Sequence, residues 1–300
     1  MSYEQIILDA KDGYKLDVHV FKSENPKAII KFIHGMEEHQ DRYIDFAEKL
    51  QQEGYTVITS NMRGHGPNAP ILSHIADKDG HKKLIEDEQT YISYIKETYP
   101  NVDIYLFGHS MGTIVARALL QTNSKDFTKV ALSGYPNPQG VASVGVFLSN
   151  FIGLFKKKTG HSKLINNMVI GAFSKAVPDA KTPIDWLSYN EENVTKYAND
   201  DLCGKEFSIG SYNALFHLVS DINKPKKYQD VNNDMPILLI SGDADPCTGG
   251  EKGRNDSLDR LTKAGFNNIE VVTLEHMRHE ILNELSHELT YQTIISFFNK

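Results

Sequence analysis

The sequence predicts an α/β fold: a mostly parallel central sheet, an antiparallel hairpin at its N-terminal end and a helical insertion. Three observations predict it. Short apolar strand-like runs alternate with amphipathic helical ones through most of the chain. The first two strand-like runs are separated only by the turn Lys11-Asp12-Gly13, too short for a parallel crossover. The alternation stops near Gly134 and resumes near Pro236.

The elements follow in order. Residues 3–9 and 14–21 form the hairpin. In the second strand Leu16, Val18 and Val20 alternate with Lys15, Asp17 and His19, so one face is apolar. Residues 28–33 read as a more buried strand that runs into His34-Gly35-Met36-Glu37-Glu38-His39. Tyr43, Phe46, Ala47 and Leu50 recur at helical spacing and predict a helix over 42–53, closed by Gly54. A strand at 56–59 leads to Asn61-Met62-Arg63-Gly64-His65-Gly66, and a helix over 81–98 stops before Pro100. Strand 104–107, a helix from Thr113 and strand 129–133 complete the first part, residues 1–134. Residues 135–230 read as helices and loops, a helical insertion. Residues 231–300 return to the core with strand 236–241, a helix near 256–264, strand 269–274 and a last helix bearing Tyr291, Ile294, Ile295 and Phe298.

Bulk composition narrows the partners. A net charge of −7 argues against nucleic acid, although Lys156-Lys157-Lys158 is locally basic. Cys203 and Cys247 are the only cysteines, so no disulfide framework is implied. The start, Met1-Ser2-Tyr3-Glu4-Gln5, has neither the basic nor the apolar segment of a signal peptide. With no membrane-length apolar run, a soluble, cytoplasmic protein is expected.

Chemistry concentrates at Gly108-His109-Ser110-Met111-Gly112, a G-x-S-x-G between a strand and a helix. Such a sharp turn exposes the serine hydroxyl and sets it at a helix N-terminus. A serine is a weak nucleophile, so it needs a base and an acid to orient that base, here expected in the order Ser, Asp or Glu, His. After strand 236–241 two aspartates compete, Asp243 and Asp245; Asp245 is preferred, one step further into the loop and stiffened by Pro246. After strand 269–274 two histidines compete, His276 and His279; position gives a modest preference for His279, read as lying just before a helix at 281–285. Oxyanion donors are expected from the backbone N–H groups of Met111 and of Met36 in the earlier loop. The chemistry calls for no metal and no organic cofactor.

Within the insertion, Val144, Phe147, Leu148, Phe151, Ile152 and Phe155 make one apolar helical stripe. It is open to three readings: packing on the core, lining an acyl pocket, or touching a membrane or micelle surface with the lysines near anionic headgroups. The first two are favoured. Tyr212, Leu215, Phe216 and Val219 make a second stripe. Phe147, Phe151 and Phe216 are the expected substrate-binding residues.

The histidine–glycine loop, Arg63-Gly64-His65-Gly66, the serine turn, Gly242-Asp243-Ala244-Asp245-Pro246 and Arg278-His279-Glu280-Ile281-Leu282-Asn283-Glu284 together resemble the α/β-hydrolase superfamily. More closely they resemble its monoacylglycerol lipase and lysophospholipase-like serine hydrolases, over nearly the whole chain. The last stretch and Asp185-Trp186-Leu187-Ser188 are similar to the bacterial lysophospholipase-like branch. The resemblance implies Ser110, Asp245 and His279 as triad, Met36 and Met111 as oxyanion donors, and the insertion as a cap over the site. It implies a small acyl-ester substrate, such as a monoacylglycerol or lysophospholipid. Two alternatives stay open: an aminopeptidase or other acyl hydrolase using the same triad, with Glu191-Glu192 or Asp200-Asp201 taking the ammonium, and a non-catalytic small-molecule binder.

Overall fold

The computed structural model describes residues 3–137, 142–178 and 180–300. Met1, Ser2 and Pro138, part of stretches read above, lie outside them. The first part contains β1 (Glu4–Asp9), β2 (Lys15–Phe21), β3 (Ile29–Ile33), α1 (Ile44–Gln52), β4 (Thr56–Ser60), α2 (Gly80–Thr98), β5 (Ile104–His109), α3 (Met111–Asn123) and β6 (Lys129–Ser133). Then come α4 (Ala142–Ile152), α5 (Lys163–Val169), α6 (Gly171–Lys175), α7 (Glu191–Asn199) and α8 (Ile209–Ile222). The chain ends with β7 (Ile237–Gly242), α9 (Gly250–Lys263), β8 (Ile269–Leu274) and α10 (His287–Asn299).

One sheet of eight strands runs in the order β1-β2-β4-β3-β5-β6-β7-β8. β1 and β2 pair antiparallel, as do β2 and β4; all later pairs are parallel. β3 and β5 sit at the centre and are buried on both faces, as parallel strands covered by helices must be. The half-exposed β1 forms one edge and β8 the other. One apolar layer packs α2, α3 and α8 against the sheet; α1 and α10 cover the opposite face.

The centre of the sheet holds one charge. Lys31 is fully buried on β3. Its Nζ donates to the Phe32 carbonyl at 2.5 Å and to Ser60 Oγ at 2.8 Å, and lies 3.2 Å from Glu88 of α2. The Tyr91 ring sits 4.3 Å beneath it. Burial pulls the lysine down and pushes Glu88 up to about 7, and the attraction between the two partners offsets part of the desolvation cost of each.

Two expectations change. Residues 281–285 form turns instead of a helix. Glu284 Oε1 accepts from the N–H groups of both Arg278 and Tyr189, and Glu280 N–H donates to the Leu187 carbonyl. These bonds to the 185–190 stretch replace the helical ladder, and Ile281 and Leu282 are buried without it. On α4 and the turn after it the aromatic stripe faces outward: Phe147, Phe151 and, beyond the helix end, Phe155 are 71%, 50% and 77% exposed. The face that packs on α8 carries Gly145 and Ser149 instead. A Cβ on Gly145 would come within 2.5 Å of the Phe216 ring, so only glycine lets the two helices approach this closely.

Candidate active site

β5 ends at the serine turn. Ser110 has φ 52° and ψ −120°, outside the ordinary regions for a side-chain-bearing residue. Its own N–H is fixed by the Ser133 carbonyl at 2.9 Å. A Cβ on Gly112 would fall on the Ile33 carbonyl oxygen at the end of β3, so the turn closes only with glycine there. The strain is thus held by backbone on both neighbouring strands, and the hydroxyl stands clear of the sheet.

β7 and β8 bring in the partners. Asp245 caps a short turn after β7; its Oδ1 accepts from Cys247 N–H at 2.8 Å. Its Oδ2 lies 3.0 Å from His279 Nδ1, and His279 Nε2 lies 2.8 Å from Ser110 Oγ. With the proton on Nδ1, donated to Asp245, Nε2 is left to accept from the serine hydroxyl. Both Asp245 and His279 are buried. Asp243 is exposed and accepts from the Met277 N–H at 3.3 Å. His276 is also exposed, in a left-handed conformation at φ 56°. Met36 and Met111 border the same cavity as Ser110. Met111 opens α3, so its N–H has no acceptor within the helix.

The electrostatics favour a protonatable His279. Burial disfavours its cation, but the Asp245 carboxylate, with help from Glu280 and Glu38, outweighs burial and raises its pKa. His109, whose ring centroid lies 4.9 Å from that of His279, is pulled down to about 3 by burial and by that neighbour, and stays neutral. Trp186 packs on the other side, 5.1 Å between centroids.

A cavity of about 400 Å³ opens onto Ser110. Its walls are mostly apolar: Ile114, Met168, Val169, Phe173, Ile184, Trp186, Leu187, Leu215, Phe216 and Val219 among them. Phe216 is therefore in the wall. Phe147 and Phe151 are not, because the helix that carries them turns that face to solvent. The polar part is acidic. Glu37 and Glu206 both line the cavity. Glu37 accepts from Phe207 N–H at 3.1 Å, and burial together with Glu206 pushes it up to about 7. Glu206 Oε1 is shielded from solvent and has no hydrogen-bond partner among the described residues.

Sequence reading missed the frame around His279. Arg42 reaches both oxygens of Glu280 and also Glu38 Oε2, at 2.8 Å. Glu38 Oε1 accepts from Gly35 N–H at 2.5 Å and from the Tyr43 hydroxyl at 2.7 Å. One guanidinium thus joins the loop before Met36 to the residue after His279. The charged residues next to His279 and Gly35 were visible in the sequence, but their pairing spans too much chain for any periodicity to reveal. Among the described residues, Asp245, Cys247 and His279 also place donor atoms within reach of one metal ion. The Asp245–His279 hydrogen bond already engages two of those donors, and burial raises the Cys247 thiol, with Asp245 adding to the shift.

Comparison with known proteins gives a consistent result. A family model described as "Serine aminopeptidase, S33" matches residues 24–286. A monoglyceride lipase homolog of Monkeypox virus is 30% identical over 218 residues, 72% of this chain and 70% of that one. Phospholipase YtpA of Bacillus subtilis is 23% identical over 277 residues, 92% of this chain and 97% of that one. A thermostable carboxyl esterase from Bacillus coagulans, solved with glycerol, shares the fold at a TM-score of 0.91 and 24% identity, covering 100% of this chain and 98% of its own.

Proposed function

Because the chain belongs to the serine aminopeptidase S33 family and is a hydrolase with the α/β-hydrolase fold, we propose that it cleaves small lipid-like acyl esters, monoacylglycerols or lysophospholipids, through an acyl-enzyme on Ser110. The hydrogen-bonded run Ser110–His279–Asp245 at the mouth of a mostly apolar cavity carries this reading. His279 takes the serine proton as Ser110 Oγ attacks the ester carbonyl. Asp245 steadies the imidazolium. The backbone N–H groups of Met36 and Met111 hold the oxyanion, a term worth on the order of 3 kcal/mol per donor in related chemistry. The intermediate collapses, the alcohol leaves with the proton from His279, and water repeats the sequence to free the acid. The segments between β6 and β7 act as a cap, with Trp186, Leu215, Phe216 and Val219 as the apolar wall for the acyl chain. The exposed aromatic face of α4, beside Lys156 and Lys157, suits transient contact with an anionic lipid surface.

One observation favours a second reading. Glu37 and Glu206 supply the acidic pair that a substrate ammonium needs. Glu191 and Glu192 instead pair with Lys181 and Lys196, and Asp200 with His39. None of these acids, nor Asp201, is in the cavity wall.

The test is a panel of p-nitrophenyl esters from acetyl to palmitoyl, then 1-monoacylglycerol, lysophosphatidylcholine and aminoacyl arylamides, each with Ser110→Ala alongside. Turnover of medium or long esters, lost in Ser110→Ala, supports the lipid-ester reading. Cleavage of arylamides in preference to esters replaces it with the aminopeptidase.

A further inference from the structure

Beyond the serine relay, a second set of donors meets at the seam between the first part of the chain and the insertion. His39 Nε2, an Asp200 carboxylate oxygen and Cys203 Sγ all lie within 4.8 Å of one another. His39 comes from the loop after β3; Asp200 ends α7, and the Cys203 N–H donates back to the Asp200 carbonyl at 3.1 Å. That turn puts the carboxylate and the thiol on one side. We propose that His39, Asp200 and Cys203 bind a thiophilic divalent cation, Zn²⁺ as the first choice, with the fourth position left to water.

The donor chemistry carries the choice. One imidazole, one carboxylate and one thiolate form a mixed set suited to zinc, whereas calcium and magnesium take oxygen alone. Zinc–donor lengths of about 2.0–2.3 Å put tetrahedral donors roughly 3.3–3.8 Å apart. His39 Nε2 and Asp200 Oδ2 stand at 2.8 Å, so they must part by a little. The Asp200 side chain is 32% exposed, which gives it room to move and gives the ion a way in.

The outer shell fits as well. His39 is buried, and its other nitrogen, Nδ1, has no hydrogen-bond partner among the described residues but faces Asp41 Oδ2 at 3.6 Å. A carboxylate behind a ligating imidazole is the usual device for orienting the ring. The nearby Arg42 pairs with Glu38 and Glu280; its charge also reaches Asp200 and Cys203, but His39 is the cationic side chain that contacts the Asp200 carboxylate directly, at 2.8 Å. On binding, the Cys203 S–H proton and any proton on His39 Nε2 pass to water as the S–Zn and N–Zn bonds form. The bound ion bridges the loop that carries Met36 and the turn whose Gly204 N–H already holds the Glu37 carbonyl at 2.8 Å.

Cobalt titration of the metal-free full-length protein tests this. The expected result is one equivalent of Co²⁺ bound, a near-ultraviolet thiolate-to-cobalt band, intense tetrahedral visible bands, and displacement by Zn²⁺. Cys203→Ser removes the ultraviolet band, whereas Cys247→Ser keeps it. Zn²⁺ raises the melting temperature of the parent and of Cys247→Ser, but not of Cys203→Ser. Circular dichroism of each metal-free variant checks folding. If Cys203→Ser does not fold, Asp200→Asn takes its place, with weaker binding as the expected result. Absence of a band, or a band that survives Cys203→Ser and vanishes in Cys247→Ser, overturns the proposal; the second outcome moves the metal to Asp245, Cys247 and His279.

Discussion

Arg42 grips Glu280 with both terminal nitrogens, at 2.5 and 2.7 Å, across 238 residues of chain. Glu280 directly follows His279, and Asn193 of α7 donates to the same carboxylate at 2.6 Å. Two distant parts of the sequence thus fix the backbone that presents the candidate base. Arg42 holds Glu280 well down in pKa against the effect of burial.

Arg42→Met strands two buried carboxylates, so it is expected to lower stability by about 3–5 kcal/mol. Urea unfolding measures this. Arg42→Lys keeps the charge but not the two-pronged geometry, and less than half of the loss should return. Full recovery with lysine would mean that charge alone matters here.

If His279 is the base, its raised pKa should set the pH profile. A base must be neutral, so kcat/KM should fall on the acid side with a midpoint above 6.5, the ordinary histidine value. Stability runs the other way. The cation–Asp245 interaction is fully present below 6.5 and is lost as pH rises through the raised value. Asp245→Asn should cost on the order of 10⁴ in kcat. Glu37, near 7, titrates in the same window; Glu37→Gln should leave the acid limb in place, and its disappearance would reassign the limb to Glu37.

Lys31 and Glu88 should behave as a unit. Lys31→Met alone leaves a buried carboxylate and is expected to cost about 3–5 kcal/mol. Lys31→Met with Glu88→Leu should cost less than the sum of the single changes, by roughly 0.5–3 kcal/mol in a double-mutant cycle. Strict additivity would show that the two side chains do not interact.

The outward face of α4 gives a separable prediction. Phe147→Ser, Phe151→Ser and Phe155→Ser together touch no cavity wall. Stability should change by no more than about 0.5 kcal/mol per site, and turnover of short soluble esters should be unaffected. Sedimentation with anionic vesicles should fall at least severalfold. Unchanged sedimentation would remove the lipid-surface role.

Much of the frame was legible because it is local. Alternating strands and helices, the hairpin at Lys11-Asp12-Gly13 and the serine turn each depend on neighbours in sequence. The choice between Asp243 and Asp245 was harder, since both follow the same strand, and it is burial and the hydrogen bond to His279 that separate them. Periodicity placed Phe147 and Phe151 on one helical face but could not say which face would be covered. Gly145 decided that, by admitting the Phe216 ring. The 281–285 segment has helical composition, yet Tyr189 and Arg278 claim Glu284 for bonds that no helix could offer.

The order of strands has a consequence for biosynthesis. β7 pairs with β6, yet roughly a hundred residues separate them in the chain. At about 5–20 residues per second the ribosome needs several seconds to supply them. During that interval Ser110 has been made but neither Asp245 nor His279 has, and β6 presents an open, apolar strand edge of the kind that templates aggregation. Under the proposed mechanism, the candidate nucleophile is translated early and stays inert until the last quarter of the message is read. A nascent chain stalled before β7 would therefore lack the proposed relay, and would be at its most vulnerable to mispairing.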